Sequence, residues 1–221
     1  MTTTQQRSAS PAGRQRSHGA RAVVVLAVAL LIVLLVRTFV AQSFSIPSDS
    51  MQPTLEPGER VLVWRVDADD VERGDVIVFD GTGTFADSPP EPEGLARLGA
   101  AVAAVLGFRP GESDYVKRVV GLPGDRVTCC DDQGRLLVDG EPLEEPYVFP
   151  GDAASDVTFD IEVPDGRLWV MGDHRSDSVD SRSHLGSPGG GTIALGDVIG
   201  RVVAVTWPLD AVGTVERGSS R

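Results

Sequence analysis

The strongest constraint on this chain is a run of fifteen uninterrupted apolar residues, Ala22 to Val36, behind a basic tail. Residues 1–20 are rich in Ser, Thr, Gln, Gly and Arg without hydrophobic periodicity, and read as a disordered tail. Residues 1–21 carry Arg7, Arg14, Arg16 and Arg21 and no acid. A core helix is not usually apolar all round and flanked by such a tail. A cleaved secretory peptide matches the length, but a clean small-x-small cleavage site does not follow. A membrane anchor of about twenty residues is supplied by residues 22–44 if Arg37 snorkels to the far interface. The positive-inside rule then keeps residues 1–21 in the cytoplasm and places the rest outside, giving a single-pass protein of the cell membrane with lipid as a partner.

Beyond residue 21 the chain holds 16 Arg/Lys against 32 Asp/Glu. A body this acidic argues against binding a nucleic-acid backbone, which requires clustered positive charge. Gly and Pro are abundant, and the apolar runs are short and β-branched, so the body reads as mainly β. Strands are expected at 60–66, 75–79, 114–120, 167–171 and 198–207, with a hairpin over 127–138 that turns at Asp132-Gln133-Gly134. A domain over 45–209 and a C-terminal tail over 210–221 follow, with a hairpin-containing insertion at about 127–164. Within 81–113, Leu95, Leu98, Val102, Val105 and Leu106 recur at helical spacing, which predicts a helix packed on the body or lying on the membrane surface.

Two residue types are informative by scarcity. Cys129 and Cys130 are adjacent, so they lack the spacing of a metal site; a vicinal disulfide, free thiols and pairing between chains all stay open. Nineteen arginines accompany a single lysine, Lys117. Codon bias accounts for the arginines, but of the two cations only lysine can lose its proton at an accessible pH.

The chemistry can sit in three segments. Ile46 to Leu55 places Ser48 and Ser50 between Pro47 and Pro53, a turn able to present a hydroxyl and a backbone N–H to one point. Taken alone it reads first as an ordinary Ser/Pro turn leaving the membrane. In Tyr115-Val116-Lys117-Arg118-Val119-Val120, strand alternation puts Lys117 on one face with Tyr115 and Val119 while Arg118 points the other way. An amine on an apolar face is desolvated, which lowers its pKa. At an ordinary value near 10.4 only about 0.04% is neutral at pH 7, and a drop of roughly two raises this about a hundredfold, enough for a general base. Gly172 to Arg182 is dense in Ser, Asp and Arg. It could orient an amine; as a calcium loop it would be opposed by Arg175 and Arg182. His174 and His184, among Asp173, Asp177 and Asp180, leave a Ser-His-Asp arrangement open.

Together these segments resemble the type I signal peptidases. Ser45 to Leu55 is similar to their nucleophile box, Arg73 to Phe79 to the next, Tyr115 to Asp125 to the lysine box, and Gly172 to Arg182 to the last. The adjacent cysteines look like those of actinobacterial members. The resemblance implies antiparallel β-sheets, no cofactor or metal, a monomer, and the signal peptides of exported preproteins as substrates, cut after small residues at the −3 and −1 positions. Ser50 would be the nucleophile and Lys117 its base. The Ser48 hydroxyl and the Ser50 N–H would form the oxyanion hole, Ser178 would orient the amine, and Asp180 and Arg182 would brace the loop. Ile46, Pro47, Met51, Leu55, Tyr115 and Val116 would line the substrate pockets, and the substrate would add as a strand. Asp49, where relatives often have glycine, raises the question of a positive φ there, and His174 replaces a frequent asparagine.

Overall fold

The computed structural model of the chain describes residues 19, 21–30, 41–65, 70–86, 94, 113–187 and 189–218. The chain divides into a unit ending at Val40 and a unit beginning at Ala41. In the first, residues 21–30 are helical, and Val23, Val24, Val25, Leu26 and Leu30 are exposed. Among the described residues no helix is long and apolar enough to cross a membrane. The tail up to residue 18 and the second half of the expected anchor, 31–40, lie outside the described residues, as do nearly all of 87–112 and the helix expected there.

The anchor boundary shifts. Residues 41–44, read as the end of the span, belong to strand β1 (Ala41–Ser45), which pairs antiparallel with β2 (Arg60–Trp64). Alternation overrides mean hydropathy here, because Gln42 and Ser43 interrupt the apolar pattern and find ladder partners in Val63 and Leu62.

The second unit is antiparallel β throughout its named ladders. One sheet contains β1, β2, β3 (Val76–Asp80), β4 (Asp114–Gly121), β9 (Arg167–Met171), β10 (Ile193–Ala194), β11 (Val198–Trp207) and β12 (Gly213–Thr214). Its order is β1-β2-β11-β3-β4-β9-β10, with β12 paired to β11. A smaller sheet, ordered β7-β6-β5-β8, comprises β5 (Arg126–Cys129), β6 (Leu136–Val138), β7 (Glu141–Pro142) and β8 (Phe159–Glu162). The expected hairpin is β5–β6, with Val127 opposite Val138 and Gly134 at φ 79° in the turn. Cys129 and Cys130 are joined as a vicinal disulfide.

β3 explains how the two faces of the large sheet are filled. Val76 and Val78 join Ile46, Met51, Leu55, Val61, Val63 and Val202 in one core cluster. Ile77 and Phe79 join Val119, Leu168, Val170 and Ile193 in another. A strand buried on both sides needs a continuous apolar run rather than alternation, which is what Val76-Ile77-Val78-Phe79 provides. A third cluster, with Val120, Trp169 and Met171 against Val127, Leu136 and Phe159, fastens the small sheet to β4 and β9. Gly121 is required at that junction, because a Cβ there would run into Val127, Val163 and Trp169.

Of the segment read as a C-terminal tail, residues 210–218 are part of the domain. β12 pairs with Val205 and Ala204, the Val215 N–H donates to the Val203 carbonyl, and the Gly218 N–H to the Gly74 carbonyl. The physical reason is Asp75, a carboxylate only 1% exposed. It takes Arg217 Nε at 2.6 Å and the Glu72 N–H at 3.0 Å, because a buried charge must be paired and hydrogen-bonded.

Candidate active site

Ser50 lies in a single 3-10 turn, Asp49–Met51, between two anchors. On one side the Ile46 N–H donates to the Glu59 carbonyl (2.9 Å) and the Gly58 N–H to the Ile46 carbonyl (2.8 Å), so the segment leaves β1 in a fixed direction. On the other, the Leu55 N–H donates to the Met51 carbonyl, and both of these side chains are buried in the core. The Ser50 carbonyl accepts the His174 N–H at 3.2 Å, which fastens the turn to the 172–182 loop. Asp49 does not adopt a positive φ; among described non-glycine residues only Asp139 does.

Lys117 reaches the turn from β4. Its ladder partner is Ile77, and its same-face neighbours Tyr115 and Val119 pack with Ile77 and Phe79. Lys117 Nζ donates to Ser50 Oγ at 2.7 Å. Lys117 is 4% and Ser50 7% exposed, so water does little to solvate the ammonium. Burial lowers the Lys117 pKa from 10.5 to about 8, against Asp180 and Asp173, which raise it; Arg182 lowers it further. At pH 7 about a tenth of the amine is therefore neutral. In that form it is a proton acceptor within hydrogen-bond distance of the Ser50 hydroxyl.

The expected supporting residues fall around this pair. Ser48 Oγ stands 3.3 Å from Ser50 Oγ. Asp180 is fully buried and grips Arg182 through two contacts, from Nε at 2.9 Å and from Nη2 at 2.8 Å, while accepting the Gly172 N–H at 3.0 Å. Burial raises the Asp180 pKa, but Arg182 and the Gly172 N–H outweigh it, so the carboxyl sits below its usual range. Ser178 adds to that lowering, yet its buried Oγ has no hydrogen-bond partner of ordinary geometry. The expected bond from Ser178 to the Lys117 amine is thus not made in this structure. Of the residues expected to line pockets, Ile46, Met51 and Leu55 belong to the core, Pro47 is exposed, and Tyr115 and Val116 are half-buried. Neither candidate histidine touches Ser50 Oγ with its ring: His174 stacks on Phe149, and His184 stacks on Phe85 with Nδ1 donating to the Asp180 carbonyl.

One group escaped the sequence reading. Arg118 and Asp173, 1% and 0% exposed, form a two-pronged ion pair with Nε–Oδ1 at 2.8 Å and Nη2–Oδ2 at 2.6 Å. The same guanidinium donates to the Gly74 carbonyl and to Thr54 Oγ1, and Thr54 donates to Asp173 Oδ2. Thr54 follows the nucleophile turn, Arg118 adjoins Lys117, and Asp173 opens the 172–182 loop, so one pair ties the three segments together. A signal for it was present: a cation between Val116 and Val120 in an apolar strand has to find a buried carboxylate.

Gly172 shows how tightly these parts are fitted. A Cβ at this position would overlap Ser178 Oγ and come within 2.5 Å of the Ser50 carbonyl. Gly172→Ala is expected to slow the peptide cleavage that the resemblance implies by about 100-fold or more, because a displacement near 1 Å costs that much in reacting geometry. Cleavage rate measured beside a retained β-type circular dichroism spectrum checks it.

Comparison with known proteins identifies the family of the chain. Residues 19–207 match the family model described as signal peptidase, peptidase S26. The chain is 37% identical over 225 residues to the probable signal peptidase I of Mycobacterium leprae, covering 87% of this chain and 77% of the relative. It is 36% identical over 230 residues to signal peptidase I of Mycobacterium tuberculosis (93% and 77% covered), and 38% identical over 161 residues to the probable signal peptidase I-1 of Synechocystis (72% and 70% covered). The chain belongs to the signal peptidase family, peptidase S26, and is a type I signal peptidase, a serine peptidase that removes signal peptides from preproteins.

Proposed function

We propose that Ser50 and Lys117 are the catalytic dyad of this peptidase, and that residues 22–40 anchor it in the cell membrane with its N-terminus in the cytoplasm. The observation that carries the dyad is the 2.7 Å contact between a nearly dry amine and a nearly dry hydroxyl. Neutral Lys117 takes the Ser50 proton as Oγ attacks the scissile carbonyl. The Ser50 N–H and the Ser48 hydroxyl stabilise the oxyanion. The ammonium then returns its proton to the departing amine, and the amine deprotonates the water that releases the acyl group from Ser50. Asp180 and Arg182 hold the neighbouring loop. The substrate is the signal peptide of an exported preprotein. It lies as an added strand and is cut after small residues at −3 and −1, against pockets edged by Pro47, Tyr115 and Val116 over a floor of Ile46, Met51 and Leu55.

A preprotein cleavage assay with Ser50→Ala, Lys117→Arg and His174→Ala tests the reading. Activity is expected to fall by at least about 1,000-fold in the first two, since one removes the nucleophile and the other its general base. His174→Ala keeps substantial activity, because its contact with Ser50 is through the backbone. Full cleavage by Lys117→Arg would sink the dyad, as a guanidinium does not deprotonate at working pH.

A further inference from the structure

The segment between β7 and β8 carries no resemblance-bearing motif, yet it closes a circuit of contacts between the strand of Lys117 and the loop bonded to Ser50. Glu145, with its side chain 8% exposed, receives Arg175 Nη2 at 2.5 Å and Nη1 at 3.2 Å. Arg175 is itself 4% exposed and donates from Nε to the Gly172 carbonyl, so Glu145 fixes the entry to the 172–182 loop. The Tyr147 hydroxyl donates to Glu145 Oε1 at 3.1 Å. The Tyr147 ring lies under the Arg118 guanidinium, whose carbon stands 4.0 Å from the ring centroid. Arg118 in turn pairs with Asp173, two residues before Arg175. The circuit runs Arg118, Asp173, Arg175, Glu145, Tyr147 and back to Arg118, and it joins the neighbour of Lys117 to the loop whose His174 N–H holds the Ser50 carbonyl.

We infer that Glu145 and Tyr147 are positioning residues for the Ser50–Lys117 pair, holding β4 and the 172–182 loop at one fixed separation. This rests on the dyad reading above. Two properties suit them to the task. Glu145 answers a buried cation that otherwise has only carbonyl partners, from Gly172 and Ala154. Burial and the Glu145 charge push the Tyr147 phenol well above its ordinary range, so it stays a neutral donor under the guanidinium at every working pH. A second clamp from the same segment supports the direction of the contact, since the Phe149 N–H donates to the Asp173 carbonyl at 3.0 Å and its ring stacks on His174.

The test uses the full chain in detergent, with a preprotein substrate, comparing Glu145→Gln and Tyr147→Phe against the parent at a temperature well below each melting point. Tyr147→Phe keeps the ring under Arg118 and removes only the hydroxyl, so it guards against a Glu145→Gln variant that fails to fold. Positioning predicts a fall in kcat of about 10–100-fold for Glu145→Gln and a smaller fall for Tyr147→Phe, with KM changed by no more than about twofold, because geometry at the reacting atoms is lost while substrate contacts remain. A merely structural role lowers the melting temperature and leaves kcat untouched. Unchanged kcat in Tyr147→Phe, and in Glu145→Gln if it folds, overturns the inference even where Ser50→Ala and Lys117→Arg are inactive. Cleavage by either of those two variants would instead overturn the dyad reading itself.

Discussion

Lys117→Met is expected to abolish preprotein cleavage and at the same time to raise the melting temperature. The two effects have one cause. In the folded chain the Lys117 pKa falls from 10.5 to about 8, chiefly through burial, and such a drop corresponds to about 3 kcal/mol of unfavourable energy for the charged amine at neutral pH. Methionine has similar length and no charge, so it removes that cost. It also leaves the Ser50 hydroxyl without its 2.7 Å partner, a loss of roughly 1 kcal/mol. A net gain of about 2 kcal/mol remains, or about 4–8 °C for a domain of this size. The sign with pH follows from proton binding. Between about 8 and 10.5 the unfolded chain holds the lysine proton and the folded chain does not, so the parent gains stability as pH rises through that window. Below about 8 the full penalty applies. The advantage of Lys117→Met should therefore be greatest below pH 8 and shrink toward pH 10, which thermal unfolding at several pH values checks.

The second large effect has the opposite sign. Asp173→Asn strands the Arg118 guanidinium in a site 1% exposed, and removal of one member of a buried ion pair costs about 3–5 kcal/mol. Urea unfolding should show that loss. Replacing both partners with apolar residues recovers much of it, because the desolvation cost of the second charge vanishes too. A functional signature accompanies the loss. Asp173 raises the Lys117 pKa, so any cleavage retained by Asp173→Asn should have its rising pH limb displaced below that of the parent. A purely architectural ion pair would shift stability and leave the limb in place.

How much of this was legible before the fold was known depended on the range of each interaction. Strands such as Val76 to Phe79 and Arg167 to Met171 announce themselves through local apolar runs, and the β5–β6 hairpin through Gly134. The desolvated face of Lys117 followed from strand alternation alone. The meeting of Ser50 and Lys117, 67 residues apart, was expected only from the family resemblance, and other pairings between distant segments stayed hidden. Arg118 and Asp173 are 55 residues apart, and Arg175 and Glu145 are 30 apart on opposite sides of the small sheet's last strand. The C-terminal segment read as a tail because Arg217 looks like any surface arginine until Asp75, 142 residues earlier, is seen to be buried. At the other end, Ala41 to Ser45 directly follows the apolar stretch in sequence, and its pairing with β2 makes it a strand.

The central claim is that a neutral, buried Lys117 activates Ser50, and the pH dependence of kcat/KM for preprotein cleavage by the full chain tests it most directly. That parameter reports ionisations of the free enzyme. The account predicts one rising limb centred at about 8, set by Lys117, unchanged in His174→Ala and in its amplitude dependent on Ser50. A limb centred near 6.5 that disappears in His174→Ala would assign the base to histidine and contradict the account.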